Sequence, residues 1–352
     1  MTEAHKAKIG YACAYTPLIL LDAAGYTAYR ILPMSDCPDQ AGQLLHDNLC
    51  PHVKRILDRA ISQDLPHLDG MVLMNSCDAM RRLSDAWMRV RPDDNINLLD
   101  LPATADKAAL AYFTGELNRL NDALSEWCGH TITSNDIAAS IARYNKLPPL
   151  FRRLRERLRR GQLTGGSVRM QTLYNTAMAM SFEKSLATLE QAIEEPPSED
   201  PELDAIPVFL FGNVLSDPEA LALFESCGAR IIEDDLCTGS RLFTSIEFDE
   251  RQDVFPQISR SLLTRPLCAR TVDPSQPLKM AADILARAQA SGARGVIGQT
   301  IKFCDPYLDR LPAVRETLRQ AGIPLLLLEG DCSLRTIEQQ RTRIEAFIEM
   351  LN

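Results

Sequence analysis

The stretch Gly295-Val-Ile-Gly-Gln-Thr-Ile-Lys-Phe-Cys-Asp-Pro306 shows how this chain is built. Its first seven residues form a largely apolar run, which is typical of a buried parallel strand, and Pro306 indicates that the strand has ended before it. Open α/β sheets bind ligands just beyond the carboxyl ends of their strands. Cys304 therefore stands where a ligand-binding residue is expected.

The same alternation of an apolar run and a helical pattern recurs towards both ends of the chain. It predicts strands over residues 8–12, 26–32, 69–75, 96–101, 206–211, 229–232, 295–301 and 323–329. It predicts helices over residues 17–25, 51–62, 79–90, 217–227, 274–291, 311–321 and 337–351. Strands that alternate with helices favour parallel sheets covered by helices on their faces.

The middle of the chain has a different pattern. Residues 104–195 contain no strand pattern, and residues 194–201 have the Glu- and Pro-rich composition of a linker. We predict an N-terminal α/β domain over residues 1–103, a helical segment over 104–195, a linker over 196–204 and a C-terminal α/β domain over 205–352. The predicted fold class is α/β, with two flavodoxin-like parallel-sheet domains and a helical segment between them.

Charge and hydropathy exclude several classes of function. A net charge of -9 argues against a nucleic-acid partner, because phosphate contacts require a basic surface. No run approaches the roughly 20 apolar residues of a membrane span, and the first residues lack the apolar centre of a signal peptide. We expect a cytoplasmic protein without a membrane partner.

The ten cysteines are the main candidates for chemistry. The sequence has no P-loop, no G-x-G-x-x-G, no H-E-x-x-H and no G-x-S-x-G. Disulfides are disfavoured in the cytoplasm, and no C-x₂-C pair indicates a zinc ribbon. Cys50 precedes a helix-opening proline and Cys77 follows an apolar run, as Cys304 does. These positions suit soft-metal ligands, but the spacing of the cysteines is non-specific and by itself favours buried packing thiols.

Several of these cysteines lie in recognisable contexts that occur in one order along the chain. They are Gly10-Tyr-Ala-Cys-Ala-Tyr-Thr-Pro17, Asn48-Leu-Cys-Pro51, Asn75-Ser-Cys-Asp78, Asp234-Asp-Leu-Cys-Thr-Gly-Ser-Arg241, Lys302-Phe-Cys-Asp-Pro306 and Glu329-Gly-Asp331. In these contexts the chain resembles the 2-hydroxyacyl-CoA dehydratase and benzoyl-CoA reductase family, which includes the double-cubane cluster proteins.

This resemblance implies that Cys50, Cys77 and Cys304 hold a 4Fe–4S cluster with one iron open to substrate. It implies a low-potential reductase or an (R)-2-hydroxyacyl-CoA dehydratase-like lyase subunit, acting on a small or CoA-linked substrate. The implied partners are an ATP-hydrolysing iron–sulfur activator and an identical or related subunit in a dimer. A double-cubane cluster needs further ligands, for which the candidates are Cys13, Cys237 and Cys268, then Cys37 and Cys332.

The chain departs from the family pattern where many dehydratases have acidic residues and a histidine. Leu18, Ile19 and Asp22 occupy those positions, and Cys332 stands where relatives often have tyrosine. These differences favour a reductase-like or double-cubane-like member. A function of another class also stays open, namely a non-enzymatic cluster-binding protein that senses redox state or metal.

Overall fold

The computed structural model describes residues 7–33, 38–198, 205–271, 273–331 and 338–352. In these ranges the strands form two four-stranded sheets, and every strand pairing is parallel. The strands of the first sheet are β1 Lys8–Tyr11, β2 Thr27–Arg30, β3 Gly70–Asn75 and β4 Asn95–Asp100. Those of the second are β5 Ile206–Gly212, β6 Ala229–Asp235, β7 Gly295–Ile301 and β8 Leu325–Gly330.

Helices connect and cover these strands. Before the second sheet they are α1 Leu18–Ala23, α2 Pro51–Ile61, α3 Asp78–Val90, α4 Lys107–Cys128, α5 Ser134–Tyr144, α6 Leu147–Arg159, α7 Gly166–Ala179 and α8 Phe182–Glu194. Within the second half they are α9 Pro218–Ser226, α10 Val254–Leu263, α11 Lys279–Ser291, α12 Asp305–Gln320 and α13 Arg341–Leu351.

The two sheets have the same topology. The strand order is β2-β1-β3-β4 in the first and β6-β5-β7-β8 in the second. The strand of each sheet that comes first in the sequence lies inside the sheet. The later strands are placed on one side of it and then on the other, as in flavodoxin-like folds. The predicted fold class is therefore confirmed. Strand β7, which leads to Cys304, is buried along its whole length.

Several predicted boundaries were wrong, and three of them have a clear physical reason. Helix α12 begins at Asp305, six residues before the predicted start, because Cys304 caps it and Pro306 suits its first turn. Helix α11 begins at Lys279 rather than at residue 274, after a turn that contains a second proline, Pro277. Strand β6 extends to Asp235, since paired and buried acidic residues continue it.

Helix α10 was not predicted, although it connects the two halves of the chain. It begins after Asp253, whose side chain caps the helix. Its residues Ile258 and Leu263 are buried in the same apolar core as Leu117 of α4 and Ile9 of β1. A segment from the second half of the sequence thus completes the core beside the first sheet.

Helices α6, α7 and α8 share an apolar core that contacts both halves. A run of basic residues in α6 has the composition typical of a solvated helix face, and Arg152 and Arg153 are exposed. Arg157 of the same run instead donates hydrogen bonds of 2.9–3.1 Å to the last carbonyls of α8. A helix end leaves carbonyls without intrahelical partners, and this arginine satisfies them. The division into four segments stays a prediction.

In the part of the chain that the structure describes, no helix combines the length and the apolar composition needed to cross a membrane.

Candidate functional site

The carboxyl ends of strands from both sheets meet at one place, and cysteines follow four of these strands. Cys13 follows β1, Cys77 follows β3, Cys237 follows β6 and Cys304 follows β7. Parallel strands all end at the same edge of a sheet, so cysteines that are distant in sequence become neighbours in space.

Six of the eight candidate cysteines line one cavity of about 110 Å³. Two basic side chains, one histidine and one asparagine lie among the other lining residues. The six thiols and these polar groups belong to Cys13, Cys50, Cys77, Cys237, Cys268, Cys304, Arg30, Arg270, His52 and Asn213. Cys37 and Cys332 lie outside the described residues, and Cys128 and Cys227 are not part of the cavity wall.

Cys50, Cys77 and Cys304 occupy equivalent positions, because each is the N-terminal cap residue of a helix. None of the three side chains forms a capping hydrogen bond, but backbone amides of the first helical turn act to lower the pKa of each thiol. Helix N-termini carry partial positive charge and stabilise anions. Burial nevertheless raises the pKa of all three thiols, and that of Cys50 reaches about 12, with the neighbouring Cys304 adding to the effect.

The turn that carries Cys304 is held in an uncommon conformation. Phe303 has a φ of 58°, a left-handed value that few residues other than glycine adopt. The adjacent strand β5 ends at Gly212, where a Cβ atom would lie 1.9 Å from the carbonyl oxygen of Gln299. The next residue, Asn213, hydrogen-bonds the sulfur of Cys304. The close approach of β5 and β7 thus brings a polar side chain onto this cysteine.

Cys237 and Cys268 form a hydrogen-bonded pair at the other side of the cavity. The bond from Cys268 lowers the pKa of Cys237 to about 5, and the charges of Arg241 and Arg30 act in the same direction. The same bond raises the pKa of Cys268 well above its ordinary value. The pair therefore holds one proton at neutral pH, with Cys237 as thiolate and Cys268 as thiol.

We predict that cluster-free protein retains one thiolate in acidic solution. Ultraviolet thiolate absorbance should fall with a midpoint at a pH of about 5, because Cys237 loses its charge there. The depressed pKa stabilises the fold at alkaline pH, and this contribution is lost as the pH falls through about 5. Cys268→Ala should shift the midpoint upwards since the hydrogen-bond donor is gone, whereas Cys128→Ala should not. A midpoint unchanged in Cys268→Ala would contradict the pairing.

Arg241 is a buried hydrogen-bond donor to the sulfur of Cys237. It is 1% exposed, and its Nη1 donates to the sulfur of Cys237 at 3.0 Å. Its charge is balanced by Asp235, 3.0 Å away, which also pairs with Arg287 at 3.0 Å. Although burial alone would raise it, these two arginines hold the pKa of Asp235 below its usual range. Arg241 also contacts the hydroxyl of Tyr307 at 3.2 Å, which ties α12 to this network.

A second buried arginine contacts the same turn from the first half of the chain. Arg30, at the end of β2, is 1% exposed and donates to the carbonyl oxygen of Cys237 at 2.6 Å. Nearby, His52 of α2 is buried, and burial together with the charge of Arg30 lowers its pKa to about 3. His52 is thus neutral, and positive charge near the cavity comes from the arginines.

The possible metal ligands of the cavity are mainly thiols, and thiolates are the ligands that iron–sulfur clusters prefer. Among the described residues, no group of three or more His, Cys, Asp or Glu side chains converges on a point that could hold one metal ion. A cubane binds each thiolate to a different iron, so its ligands surround a larger volume. Cys50, Cys77 and Cys304 all line one cavity, which makes them candidates for such ligands.

The structure brings six of the eight candidate cysteines together, but the assignment of three of them as ligands stays a prediction. Sequence reasoning missed the roles of Arg30, Arg241 and Asn213. Arg241 had a local signal, since it ends the Asp234-Asp-Leu-Cys-Thr-Gly-Ser-Arg241 turn. Arg30 had none, because its contact with the Cys237 turn depends on how the two halves pack.

Comparison with known proteins gives the family. The model of the 2-hydroxyglutaryl-CoA dehydratase D-component matches residues 13–351. A beta subunit of (R)-phenyllactyl-CoA dehydratase from Clostridium sporogenes is 23% identical and is matched over 100% of this chain and 93% of its own length. One of the benzoyl-CoA reductase subunits of Thauera aromatica is 22% identical over 90% of this chain and 84% of that protein.

A third relative is the beta subunit of (R)-2-hydroxyglutaryl-CoA dehydratase from Acidaminococcus fermentans. It is 24% identical over 98% of this chain and 93% of its own length. The chain belongs to the family of 2-hydroxyacyl-CoA dehydratase and benzoyl-CoA reductase components, and the resemblance found in the sequence is confirmed. It is an enzyme component, and these relatives are named as subunits of larger enzymes.

Proposed function

We propose that this chain is an iron–sulfur protein whose 4Fe–4S cluster is bound by Cys50, Cys77 and Cys304. The observation that carries the proposal is the meeting of these three helix-capping thiols at one buried cavity between the two sheets. Their raised pKa values do not oppose it, because a bound metal ion displaces the thiol proton. Three helix N-termini stabilise the negative charge that a thiolate-bound cluster carries.

The proposed reaction is the reduction or dehydration of a small or CoA-linked substrate. When bound, the cluster would supply single low-potential electrons to that substrate. The residues around the cluster would position it, hold a proton and supply charge. Cys237 and Cys268 hold one proton at the cavity. Arg241 and Arg30 supply positive charge next to Cys237, and the first turns of three helices position the three ligands. The apolar residues of the cavity wall exclude water.

The electron donor that we propose is an ATP-hydrolysing iron–sulfur activator, and the second partner is an identical or related subunit. The names of the relatives support both a multi-subunit enzyme and acyl-CoA substrates. The test is a reductive titration of the anaerobic protein, first with titanium(III) citrate and then with an activator and ATP. We expect reduction of the cluster by both, and dependence on ATP hydrolysis in the second case. Reduction by titanium(III) but never by an activator with ATP would contradict the proposed electron donor.

A second arrangement, a double-cubane cluster, is favoured by one observation. Cys13, Cys237 and Cys268 line the same cavity as the first three cysteines and could bind a second cubane. However, the hydrogen bond between Cys237 and Cys268 would have to break for both to bind iron. We therefore propose the single cubane, with the pair as a proton-holding group.

We predict that Cys237→Ser leaves the metal content unchanged. Anaerobically purified wild type and variant should each contain about four irons per chain, the content of one cubane. The matched control is Cys128→Ser, which should give the same value because Cys128 lies away from the cavity. About eight irons in the wild type, with a decrease in Cys237→Ser only, would instead establish the double cubane.

A further inference from the structure

A second pocket, of about 60 Å³, adjoins the cysteine cavity. It lies between the start of α1, the end of α10 and the α5–α6 connection, and most of its wall is apolar. Ala14 lines both the pocket and the cysteine cavity. Two segments that carry cavity cysteines also frame the pocket, since Cys13 precedes Ala14 and Cys268 follows Arg265 by three residues.

Arg265 is the charged residue of this pocket, and none of the described residues provides a counter-ion for it. The side chain is 6% exposed, and neither Nε nor Nη2 has a hydrogen-bond partner. Its guanidinium lies over the ring of Tyr15, 4.0 Å from the centroid, and no described carboxylate forms an ion pair with it. A buried charge without a partner is strongly unfavourable, so proteins normally pair such groups. This arginine is suited to an anion that comes from outside the chain.

Thr16 provides a second, independent sign of a ligand. Its side chain is 2% exposed, lines the same pocket, and its hydroxyl has no hydrogen-bond partner. Buried hydroxyls are nearly always satisfied, so an unsatisfied one indicates a bound group. Among the described residues that line the pocket there is no Asp or Glu that could repel an anion.

We propose that this pocket binds a short-chain carboxylate, with the carboxylate on Arg265 and Thr16. The planar guanidinium forms paired hydrogen bonds with carboxylates, and a hydroxyl adds a further one. The apolar part of the ligand would contact Leu18, Phe243 and Leu262, which also line the pocket. A cavity that accepts benzene has roughly 150 Å³. The smaller pocket favours a branched aliphatic acid of a few carbons over an aromatic one.

This inference rests on the proposed function in one respect, because the pocket acts as a substrate site only if the neighbouring cavity performs the reduction. Binding itself does not depend on the cluster. The pocket therefore indicates a class of substrate, namely a small acid or an acyl group with a free carboxylate. Bound there, such a substrate would reach the edge of the cysteine cavity beside Ala14.

The test uses isobutyrate and cluster-free protein, with binding measured by calorimetry. We expect saturable binding of isobutyrate with one site per chain, and binding of isobutyramide, which has the same shape without the charge, weaker by about tenfold or more. Benzoate should bind more weakly than isobutyrate. Absence of isobutyrate binding, or equal binding of isobutyramide, would overturn the carboxylate site. Equal binding of benzoate would overturn the assignment to short-chain acids.

Variants separate recognition from folding. Arg265→Met should abolish isobutyrate binding and, without ligand, should raise the melting temperature, because it removes an unpaired buried charge. Thr16→Val should weaken binding while keeping the size of the side chain. Arg260→Met, at an exposed position of the preceding helix α10, is the control and should bind as the wild type does. Undiminished binding by Arg265→Met would overturn the site, whereas lack of reduction of the cluster would affect the proposed function alone.

Discussion

Replacing Cys304 with serine should remove the iron–sulfur cluster from anaerobically purified protein. Cys304 is the N-terminal cap residue of α12, and the side chain of Asn213 hydrogen-bonds its sulfur. A serine oxygen is a poorer ligand for iron than a thiolate, so one of three protein ligands is lost. We expect the iron content to decrease from about four to less than about one per chain. The EPR signal of the reduced protein should disappear or change.

The matched control for this variant is Cys227→Ser. Cys227 ends α9 and packs beside the apolar core of the second sheet, away from the cavity. Its replacement should leave both iron and EPR signal as in the wild type. If Cys304→Ser kept its iron and an unaltered signal, Cys304 would not be a ligand. If both variants lost iron, the loss would reflect a damaged fold.

Asp235→Asn should cause a large loss of stability although the change is conservative in size. Asp235 is buried and is 3.0 Å from both Arg241 and Arg287. Its replacement leaves Arg241, whose side chain is wholly buried, without a carboxylate. Breaking a buried ion pair in this way costs about 3–5 kcal/mol. Urea unfolding of the cluster-free wild type and variant measures this difference in the free energy of unfolding. Because the pKa of Asp235 is lowered, the wild-type advantage should diminish as the pH falls into the range where carboxylates protonate.

Glu316→Gln is the control for this experiment, since Glu316 forms an exposed ion pair with Arg319 on α12. Exposed pairs contribute little, so the unfolding curve should stay close to that of the wild type. Adding Arg241→Met to Asp235→Asn should regain part of the lost stability because it removes the unpaired charge. An Asp235→Asn protein as stable as Glu316→Gln would contradict the role given to this network.

The sequence was informative where structure is determined locally. Apolar runs predicted the strands, Pro51 indicated where α2 begins, and Pro306 indicated that β7 had ended. Parallel strands of one sheet share one edge, so the cysteines beyond β1 and β3, and likewise those beyond β6 and β7, could be expected near one another. Their common cavity agrees with that reasoning.

The sequence was uninformative where tertiary packing decides. Arg30 is 207 residues away from Cys237, whose carbonyl it binds, and nothing near it in sequence indicates that contact. Helix α10 was missed even though it completes the core beside the first sheet. Arg265, just beyond the end of that helix, could not be recognised as an unpaired buried charge until the residues around it were known. The left-handed φ of Phe303 is likewise imposed by the turn that it occupies.

The most direct test of the central claim is iron and acid-labile sulfide analysis of the anaerobically purified wild-type chain, with EPR after reduction. We predict about four irons and about four sulfides per chain, and a signal typical of a reduced 4Fe–4S cluster. Protein that is folded but binds no iron after anaerobic reconstitution would contradict the account, and the six cysteines of the cavity would then be packing thiols.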